Sequence, residues 1–358
     1  MQRFVLSAAF AGLLAIGWMA VSSQNVAQGA AQGASGTTGS GKLRFKLLYT
    51  SSHLPAEAQA VLEKAHGGFA IDRRPGKGEI YFALPGAGII QISADMKTTR
   101  MLPTDPGMKA ANMHNASIWY GKDGTPFLSF PGNGTASVYI TSIDGKLLYT
   151  LKTPEAGKDL GYPLANDYFA GAGNFIPTDT DEMDGLLYVS TGYSQLDVVL
   201  TARILSTSPF RAEWYDLAWG GKGTGPGQFG TGHGVTTVPS ARRVDIADRP
   251  NAEIDRFTRH GQYLSTLKMP LGSLPCDIDY LGNYGIVGAL DGPDRSKGAP
   301  VYILENDRLV STLMIKEAFG LEKFKHIHNA VLHERDGKLY VIAQAWNPGD
   351  FAILEQVN

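Results

Sequence analysis

The chain has 358 residues, a formal net charge of −2, 43% hydrophobic residues and 18% charged residues. This composition argues against a basic nucleic-acid-binding protein and against a disordered chain, and it allows one large buried core. The single cysteine, Cys276, excludes an internal disulfide. The 43 glycines and 19 prolines are typical of a fold with many tight turns.

The N-terminus has the pattern of a targeting segment. Arg3 is followed by residues 4–21 without a charge, and then by two serines. We predict a signal peptide over residues 1–23, with an uncleaved membrane anchor as the alternative. The protein is therefore expected in the periplasm or outside the cell, with no membrane contact beyond that anchor.

The predicted mature chain begins with a segment of different composition. Residues 24–41 are rich in Gly, Ala, Gln, Ser and Thr, which predicts a flexible linker. Residues 42–358 are predicted to form a single domain.

Short apolar runs separated by turn signals fill this domain. EIYFAL (79–84), GIIQIS (88–93) and SVYITSI (137–143) have strand length and are rich in β-branched or aromatic residues. The runs group into six units, whose first strands are expected to open near Gly68, His114, Pro177, His233, Pro275 and His328. Four-stranded units of about 40 to 60 residues predict an all-β, six-bladed β-propeller.

The two ends of the domain are predicted to meet in one blade. After His328 we find only three strand-like runs, and the early run KLRFKLLYT (42–50) has no unit of its own. Pairing the N-terminal run with the last unit would close the ring and leave no open sheet edge there.

Three histidines begin the first strands of alternate units: His114, His233 and His328. Alternate blades of a six-bladed ring stand about 120° apart around its axis, so these imidazoles are expected to converge on the central channel. Three imidazoles around one point form a good zinc site, which is catalytic if the fourth position stays open. The alternative is a polar channel lined by hydrogen-bonded histidines.

Other polar residues near this register are weaker candidates. His326 lies two residues before His328, on the same side of an extended strand, where it would contact a metal ligand or the substrate. Cys276 occupies the corresponding position in the fifth unit, either lining the channel or as an inert buried thiol. His66 lies one place outside the register and is not predicted in the site. The acidic run DTDEMD (179–184) is predicted as a solvated turn, with cation binding as the alternative.

The segment from Trp219 to Phe257 resembles an NHL-type blade, and more narrowly the matching blade of peptidyl-α-hydroxyglycine α-amidating lyase. That family has a PGQF…PH segment followed by a VADR-x-N-x-R-I-x-x-F strand pair. The counterparts here are PGQFGTGH (226–233) and IADRPNAEIDRF (246–257). The likeness extends thinly over most of residues 66–356.

The resemblance implies a set of site residues. Zinc would be bound by the three histidines already named, with Tyr193 in YVSTGYS and Arg249 as catalytic residues. A structural calcium would lie near Phe69 and Ala116, where the aspartate that the family uses is replaced by Asn329. A second catalytic arginine of the family aligns with Leu84, and a methionine of the family aligns with His326.

The function implied by the resemblance is a metal-dependent lyase that cleaves a carbinolamide C–N bond to give an amide and glyoxylate. Its substrate would be a small or peptide-derived molecule. Because Leu84 replaces an arginine, a related lyase or hydrolase acting on another small hydroxylated molecule is equally compatible. Two alternatives stay open: a non-catalytic NHL-type propeller that binds protein or glycan partners, and a lactonase-type propeller hydrolase. The latter needs several channel carboxylates, of which Asp277 is the clearest candidate.

Overall fold

The computed structural model describes residues 36–357. The predicted signal peptide (1–23) and most of the predicted linker (24–41) lie outside the described residues. Between residues 36 and 357, no helix is both long enough and apolar enough to traverse a bilayer.

Six antiparallel sheets, packed side by side through their first strands, form a six-bladed β-propeller. The chain enters through β1 (Thr38–Ser40) and β2 (Leu43–Thr50). Blade one contains β3 (Ala70–Ile71), β4 (Ile80–Leu84), β5 (Gly88–Ile92) and β6 (Thr99–Met101). Blade two contains β7 (Ser117–Tyr120), β8 (Pro126–Gly132), β9 (Ser137–Ser142) and β10 (Leu147–Lys152). Blade three contains β11 (Asp179–Met183), β12 (Leu186–Ser190), β13 (Val198–Thr207) and β14 (Phe210–Gly220).

The second half of the ring repeats this pattern. Blade four contains β15 (Gly232–Val238), β16 (Arg243–Asp248), β17 (Glu253–Thr258) and β18 (Tyr263–Lys268). Blade five contains β19 (Pro275–Leu281), β20 (Tyr284–Ala289), β21 (Val301–Glu305) and β22 (Arg308–Leu313). Blade six contains β23 (Ile327–Arg335), β24 (Lys338–Ala345) and β25 (Asp350–Val357). Short helices lie in the connections between blades: α1 (Ala56–Gln59), α2 (Pro106–Ala110), α3 (Pro163–Ala170) and α4 (Ile315–Phe319).

The predicted fold class and blade boundaries are confirmed. Each observed first strand begins within three residues of its predicted opening. The prediction fails for the acidic run 179–184, because most of it forms β11 and pairs with β12 instead of forming a turn. Alternate residues of a strand point to opposite faces, so this run places carboxylates in the channel rather than in solvent.

Blade six closes the ring with strands from both ends of the chain. β2 pairs antiparallel with β25, and the sheet runs in the order β1-β2-β25-β24-β23. Phe45 of β2 is fully buried and packs in the core shared with blade five. Residues 38–40, the end of the predicted linker, therefore belong to the sheet, because β1 pairs with β2.

Candidate metal centre

The three predicted histidines are directed into the channel by irregular backbone at the start of their blades. His233 and His328 each lie at a register shift in the pairing of their first strand with the second. A bulge of this kind changes the direction of a side chain without ending the strand. His114 lies just before β7, where its backbone N–H donates to the carbonyl of Pro131.

The Nε2 atoms of His233 and His328 both lie close to that of His114. Nε2 of His114 lies 3.3 Å from Nε2 of His233 and 3.1 Å from Nε2 of His328. The ring centroids of His233 and His328 are 4.9 Å apart. The structure thus brings together three side chains that are 95 to 214 residues apart in the sequence.

Backbone carbonyls fix the orientation of each ring. Nδ1 of His114 donates to the carbonyl of Thr178 at 2.5 Å, Nδ1 of His233 to that of Cys276 at 2.7 Å, and Nδ1 of His328 to that of Gly67 at 3.0 Å. A carbonyl oxygen only accepts, so each Nδ1 carries the proton and each Nε2 presents a lone pair.

The environment keeps these rings neutral. All three histidines are fully buried. Burial lowers the pKa of each well below its usual value, and the nearby Arg249 guanidinium lowers it further. The centre therefore presents three nitrogen lone pairs without bound protons.

Tyr193 and Arg249 lie beside this centre. Tyr193 is in the loop after β12, and its Oη lies 3.3 Å from Nε2 of His114 and 3.1 Å from Nε2 of His233. Arg249, directly after β16, donates from Nη1 to this Oη at 2.8 Å. Burial raises the pKa of Tyr193, and the adjacent guanidinium partly opposes this shift.

Arg249 is a buried cation. Its side chain is 7% exposed, and its other polar contact is from Nη2 to Sγ of Cys276 at 3.1 Å. Its Nε has no hydrogen-bond partner among the described residues. A buried guanidinium with no carboxylate in contact is well placed to bind an anionic group of a ligand.

The two weaker candidates lie at different distances from the centre. Cys276 is fully buried at a register shift of β19, and burial raises the pKa of its thiol. Its carbonyl accepts from His233 and its sulfur contacts Arg249, so it holds two site residues in place. His326 contacts the carbonyl of Leu290 at 3.0 Å and Oδ1 of Asp291 at 3.2 Å through Nδ1, and its ring lies 6.4 Å from that of Trp346.

His66, which the histidine register does not predict, also lies at the centre. Its ring centroid lies 4.4 Å from that of His114 and 4.6 Å from that of His328. Burial lowers the pKa of His66 to about 3. Its position four residues before β3 is a usable signal, because His114 precedes β7 by a similar interval.

The region implied for calcium is a polar layer beneath the histidines. Asn329 accepts from the Phe69 N–H at 3.3 Å and donates to Asp277 at 3.1 Å. Asn115 is 2% exposed, and neither its Oδ1 nor its Nδ2 has a partner among the described residues. Phe69 and Ala116 line the adjoining cavity.

That wide cavity is lined largely by the first strands of the blades and has a volume of about 800 Å³. It is lined by several carboxylates from the first strands of blades three and five: Asp179, Asp181, Glu182, Asp277 and Asp279. Burial raises the pKa of Asp179, and the carboxylate of Asp277 raises it further. The channel thus contains more carboxylates than Asp277, the clearest one predicted from the sequence.

Leu84, which aligns with an arginine in the resembled family, is fully buried in the apolar core of blade one. An apolar core residue therefore stands where the resembled family has an arginine.

Comparisons with known proteins support the fold. No protein-family model matches the chain, and no curated protein matches it. Virginiamycin B lyase from Staphylococcus aureus is 13% identical with a TM-score of 0.50, over 82% of this chain and 96% of that one. A streptogramin B lyase structure is 12% identical with a TM-score of 0.49, over 83% and 95%. BamB from Moraxella catarrhalis is 14% identical with a TM-score of 0.41, over 82% and 85%.

Proposed function

We propose that this chain is an exported zinc-dependent, lyase-like enzyme acting on a small hydroxylated substrate. The nearest analogy is the C–N bond cleavage of the amidating lyase. One observation carries the proposal: three buried imidazoles of the same tautomer present unprotonated Nε2 atoms, and those of His233 and His328 both lie within 3.3 Å of Nε2 of His114.

The donor set fits zinc. Tetrahedral zinc with Zn–N distances of about 2.0–2.1 Å separates its ligand nitrogens by about 3.3 Å, close to the 3.3 and 3.1 Å that separate Nε2 of His114 from those of His233 and His328. The Tyr193 hydroxyl can donate to only one Nε2 at a time, so the other lone pairs face each other without a proton. Burying lone pairs without a donor destabilises the folded state unless a cation binds them. The carbonyl bonds at Nδ1 are typical of metal-binding histidines.

Bound zinc would polarise a substrate oxygen and favour loss of its proton. Tyr193 Oη, in contact with two of the ligand imidazoles, is positioned to accept that hydroxyl proton. Tyr193 can accept this proton only as a phenolate, which Arg249 would stabilise through Nη1 before the transfer, and Arg249 would hold an anionic group of the substrate through its remaining N–H donors.

For an α-hydroxyglycine substrate, the cleavage needs no second reactant. The hydroxyl oxygen loses its proton and forms the C=O of glyoxylate, the C–N bond breaks, and the amide nitrogen takes up a proton. Because Leu84 is buried in the core, only Arg249 of the family's two arginines is matched. The substrate class therefore remains a small hydroxylated molecule, of which α-hydroxyglycine derivatives are the first to test.

We further propose a structural calcium in the polar layer beneath the histidines. The unpartnered amide of Asn115 supports this, as does Gly68, where an added Cβ would lie 2.4 Å from Asn115 Oδ1 and 2.9 Å from Asn329 Nδ2, so that the two amides fit there only because residue 68 has no side chain. Oxygen ligands for a hard cation would be the unpartnered Oδ1 of Asn115, the carboxylate of Asp277 in the cavity wall and, by the family resemblance, backbone carbonyls near Phe69 and Ala116.

Two alternatives remain as proposals. A lactonase-type hydrolase is favoured by the carboxylates of the wide cavity and would depend on calcium rather than zinc. A non-catalytic module that binds protein or glycan partners would have no need of a metal centre.

Elemental analysis of the purified protein distinguishes these functions. We expect about one zinc per chain in the wild type and its loss in His114→Ala and in His233→Ala. His260→Ala, at an exposed loop position, is the matched control and should retain the zinc. A wild type that binds calcium but no transition metal would favour the lactonase type, and one that binds neither would favour the binding module.

A further inference from the structure

His66 is the residue of the centre that neither the histidine register nor the family resemblance accounts for. It lies in the loop before β3, and one ligand atom each from His66, His114 and His328 all lie within 4.8 Å of one another. Its other ring face stacks on Trp346, with centroids 5.0 Å apart and planes inclined by 22°.

The hydrogen bonds of His66 specify the opposite tautomer to that of the other three rings. Nδ2 of Asn112 donates to Nδ1 of His66 at 2.9 Å, and the same amide nitrogen donates to Oδ1 of Asn133 at 3.0 Å. Because Nδ1 of His66 accepts, the proton of the neutral ring is on Nε2.

The Nε2–H of His66 is therefore a hydrogen-bond donor at a centre of acceptors. This atom is buried and has no partner among the described residues. A buried donor without an acceptor is rare in folded proteins and calls for a ligand or water that accepts from it.

We propose that His66 contacts the substrate, donating its Nε2–H to a substrate oxygen held over the three-histidine centre. This inference rests on the proposed function and adds a recognition group to it. His66 is thereby distinguished from a fourth metal ligand, which would need a lone pair at Nε2.

The position of His66 defines a substrate class. The rings of His66 and Tyr193 are inclined by only 19°, with centroids 6.4 Å apart, and both rings pack against His114. A small ligand over His114 would thus lie between the His66 donor on one side and the Tyr193–Arg249 pair on the other. The ligand that fits has a hydroxyl and a second oxygen, of a carbonyl or carboxylate, on the adjacent carbon.

The tautomer can be measured without metal. In protein labelled with ¹⁵N-histidine, long-range ¹H–¹⁵N spectra distinguish the two neutral tautomers, and His66→Phe identifies the His66 signals by their absence. We expect the proton on Nε2 for His66 and on Nδ1 for His114, His233 and His328. A proton on Nδ1 of His66 would overturn the proposal, whatever the metal content of the protein.

Substrate contact is tested with glycolate, a hydroxy acid of the required class, titrated into the zinc-loaded protein by calorimetry. His66→Phe should weaken glycolate binding at least tenfold while the zinc content stays at one per chain, and His66→Gln, which keeps an N–H donor, should recover part of the affinity. His53→Phe, a remote ring stacked on Tyr49, is the control and should bind as the wild type does.

The other possible outcomes contradict either the His66 contact or the proposed function. Unchanged glycolate affinity in a folded His66→Phe protein, or no glycolate binding to the wild type, would overturn the contact. Loss of zinc in His66→Phe would make His66 a ligand and also overturn the proposal. A wild type that takes up no zinc would instead contradict the proposed function, and the tautomer would still decide the question for His66.

Discussion

At the scale of single residues, the centre depends on which ring nitrogen holds the proton. Three histidines donate from Nδ1 to backbone carbonyls, whereas His66 accepts at Nδ1 from a side-chain amide. Four rings of one chemical type are thereby divided into three lone-pair donors and one N–H donor. The partner of the remote nitrogen, rather than the type of side chain, decides the role of each ring.

Tyr193→Phe is expected to separate catalysis from metal binding. The substitution removes the oxygen that contacts two of the imidazoles and accepts from Arg249. Turnover of an α-hydroxyglycine substrate should fall at least 100-fold, because a general base in contact with the substrate contributes about 10² to 10⁴ in rate. Zinc content should stay the same.

The control for this experiment is Tyr340→Phe, which removes the same oxygen atom on β24, where Tyr340 lies opposite His333 rather than at the His328 end of β23. We expect wild-type kinetics for it. Equal turnover in Tyr193→Phe and the wild type would remove Tyr193 from the mechanism.

At the scale of single elements, the first strands of blades three and five line the channel with carboxylates at two-residue spacing. Asp179 and Asp181 lie on β11, and Asp277 and Asp279 lie on β19. The strand period of two places each pair on one face. Strands β11 and β19 therefore together give the cavity its acidic lining.

Calcium is expected to stabilise the protein by binding in the polar layer formed by Asn115, Asn329 and Asp277. Addition of millimolar calcium should raise the melting temperature of the wild type, because a cation that binds only the folded state shifts unfolding by mass action. Asp277→Asn should abolish the increase, since it removes the carboxylate that contacts Asn329. Asp184→Asn, an equal change of charge at a half-exposed carboxylate, should keep it. A calcium response that persists in Asp277→Asn would place the cation elsewhere.

Blade four contains a second acidic group, in which Asp248, Glu253 and Asp255 lie within 4.8 Å of one another. All three are buried, and Lys268 forms an ion pair with Glu253. Burial, together with the neighbouring carboxylates of Glu253 and Asp248, raises the pKa of Asp255 to about 6. Oδ2 of Asp255 has no partner among the described residues.

Asp255→Asn is therefore expected to stabilise the protein above pH 6. The pKa of about 6 in the folded state exceeds the usual value of about 3.9, so the folded state binds the additional proton between these values. Stability consequently falls as pH rises from about 4 to 6, and the variant removes a cost of about 1 to 3 kcal/mol at pH 8.

Urea unfolding at pH 8 and pH 4 measures this effect. The gain in the free energy of unfolding should be largest at pH 8 and small at pH 4. Glu213→Gln, at an exposed carboxylate of β14, should change it little at either pH. A variant that is less stable than the wild type at pH 8 would show that Asp255 is stabilised as a carboxylate.

At the scale of the whole molecule, the ring is closed by pairing between its two ends. β2 pairs with β25 over Arg44 to Thr50, and Leu43 and Phe45 enter the core of blade six. Removal of this strand would expose one edge of β25 and a part of the core to solvent.

A chain that begins at Ser51 is expected to be much less stable than one that begins at Gly36. Loss of β1 and β2 removes buried Phe45, and truncation of one buried phenylalanine alone costs about 3 to 5 kcal/mol. The melting temperature and the tendency to aggregate measure this. A synthetic peptide of residues 36–50 should restore part of the stability, and equal stability of the two chains would contradict closure by β2.

The amino-acid sequence by itself determined the architecture of this protein and three members of its centre. Strand-length apolar runs, regular turn signals and an unmatched first strand specify six blades and their closure, because these features are local and repeat along the chain. The placement of His114, His233 and His328 follows from the same count, since position within a repeat fixes position around the axis.

Only the tertiary structure decided which side chains share the channel and which protons they hold. His66 joins the centre through a loop that no repeat pattern constrains, and the acidic run 179–184 becomes a strand because β12 pairs with it. Tautomers, unpartnered donors and the isolation of Arg249 depend on atoms from distant blades. Local sequence determines strands, whereas hydrogen-bond partners between blades exist only once the ring has closed.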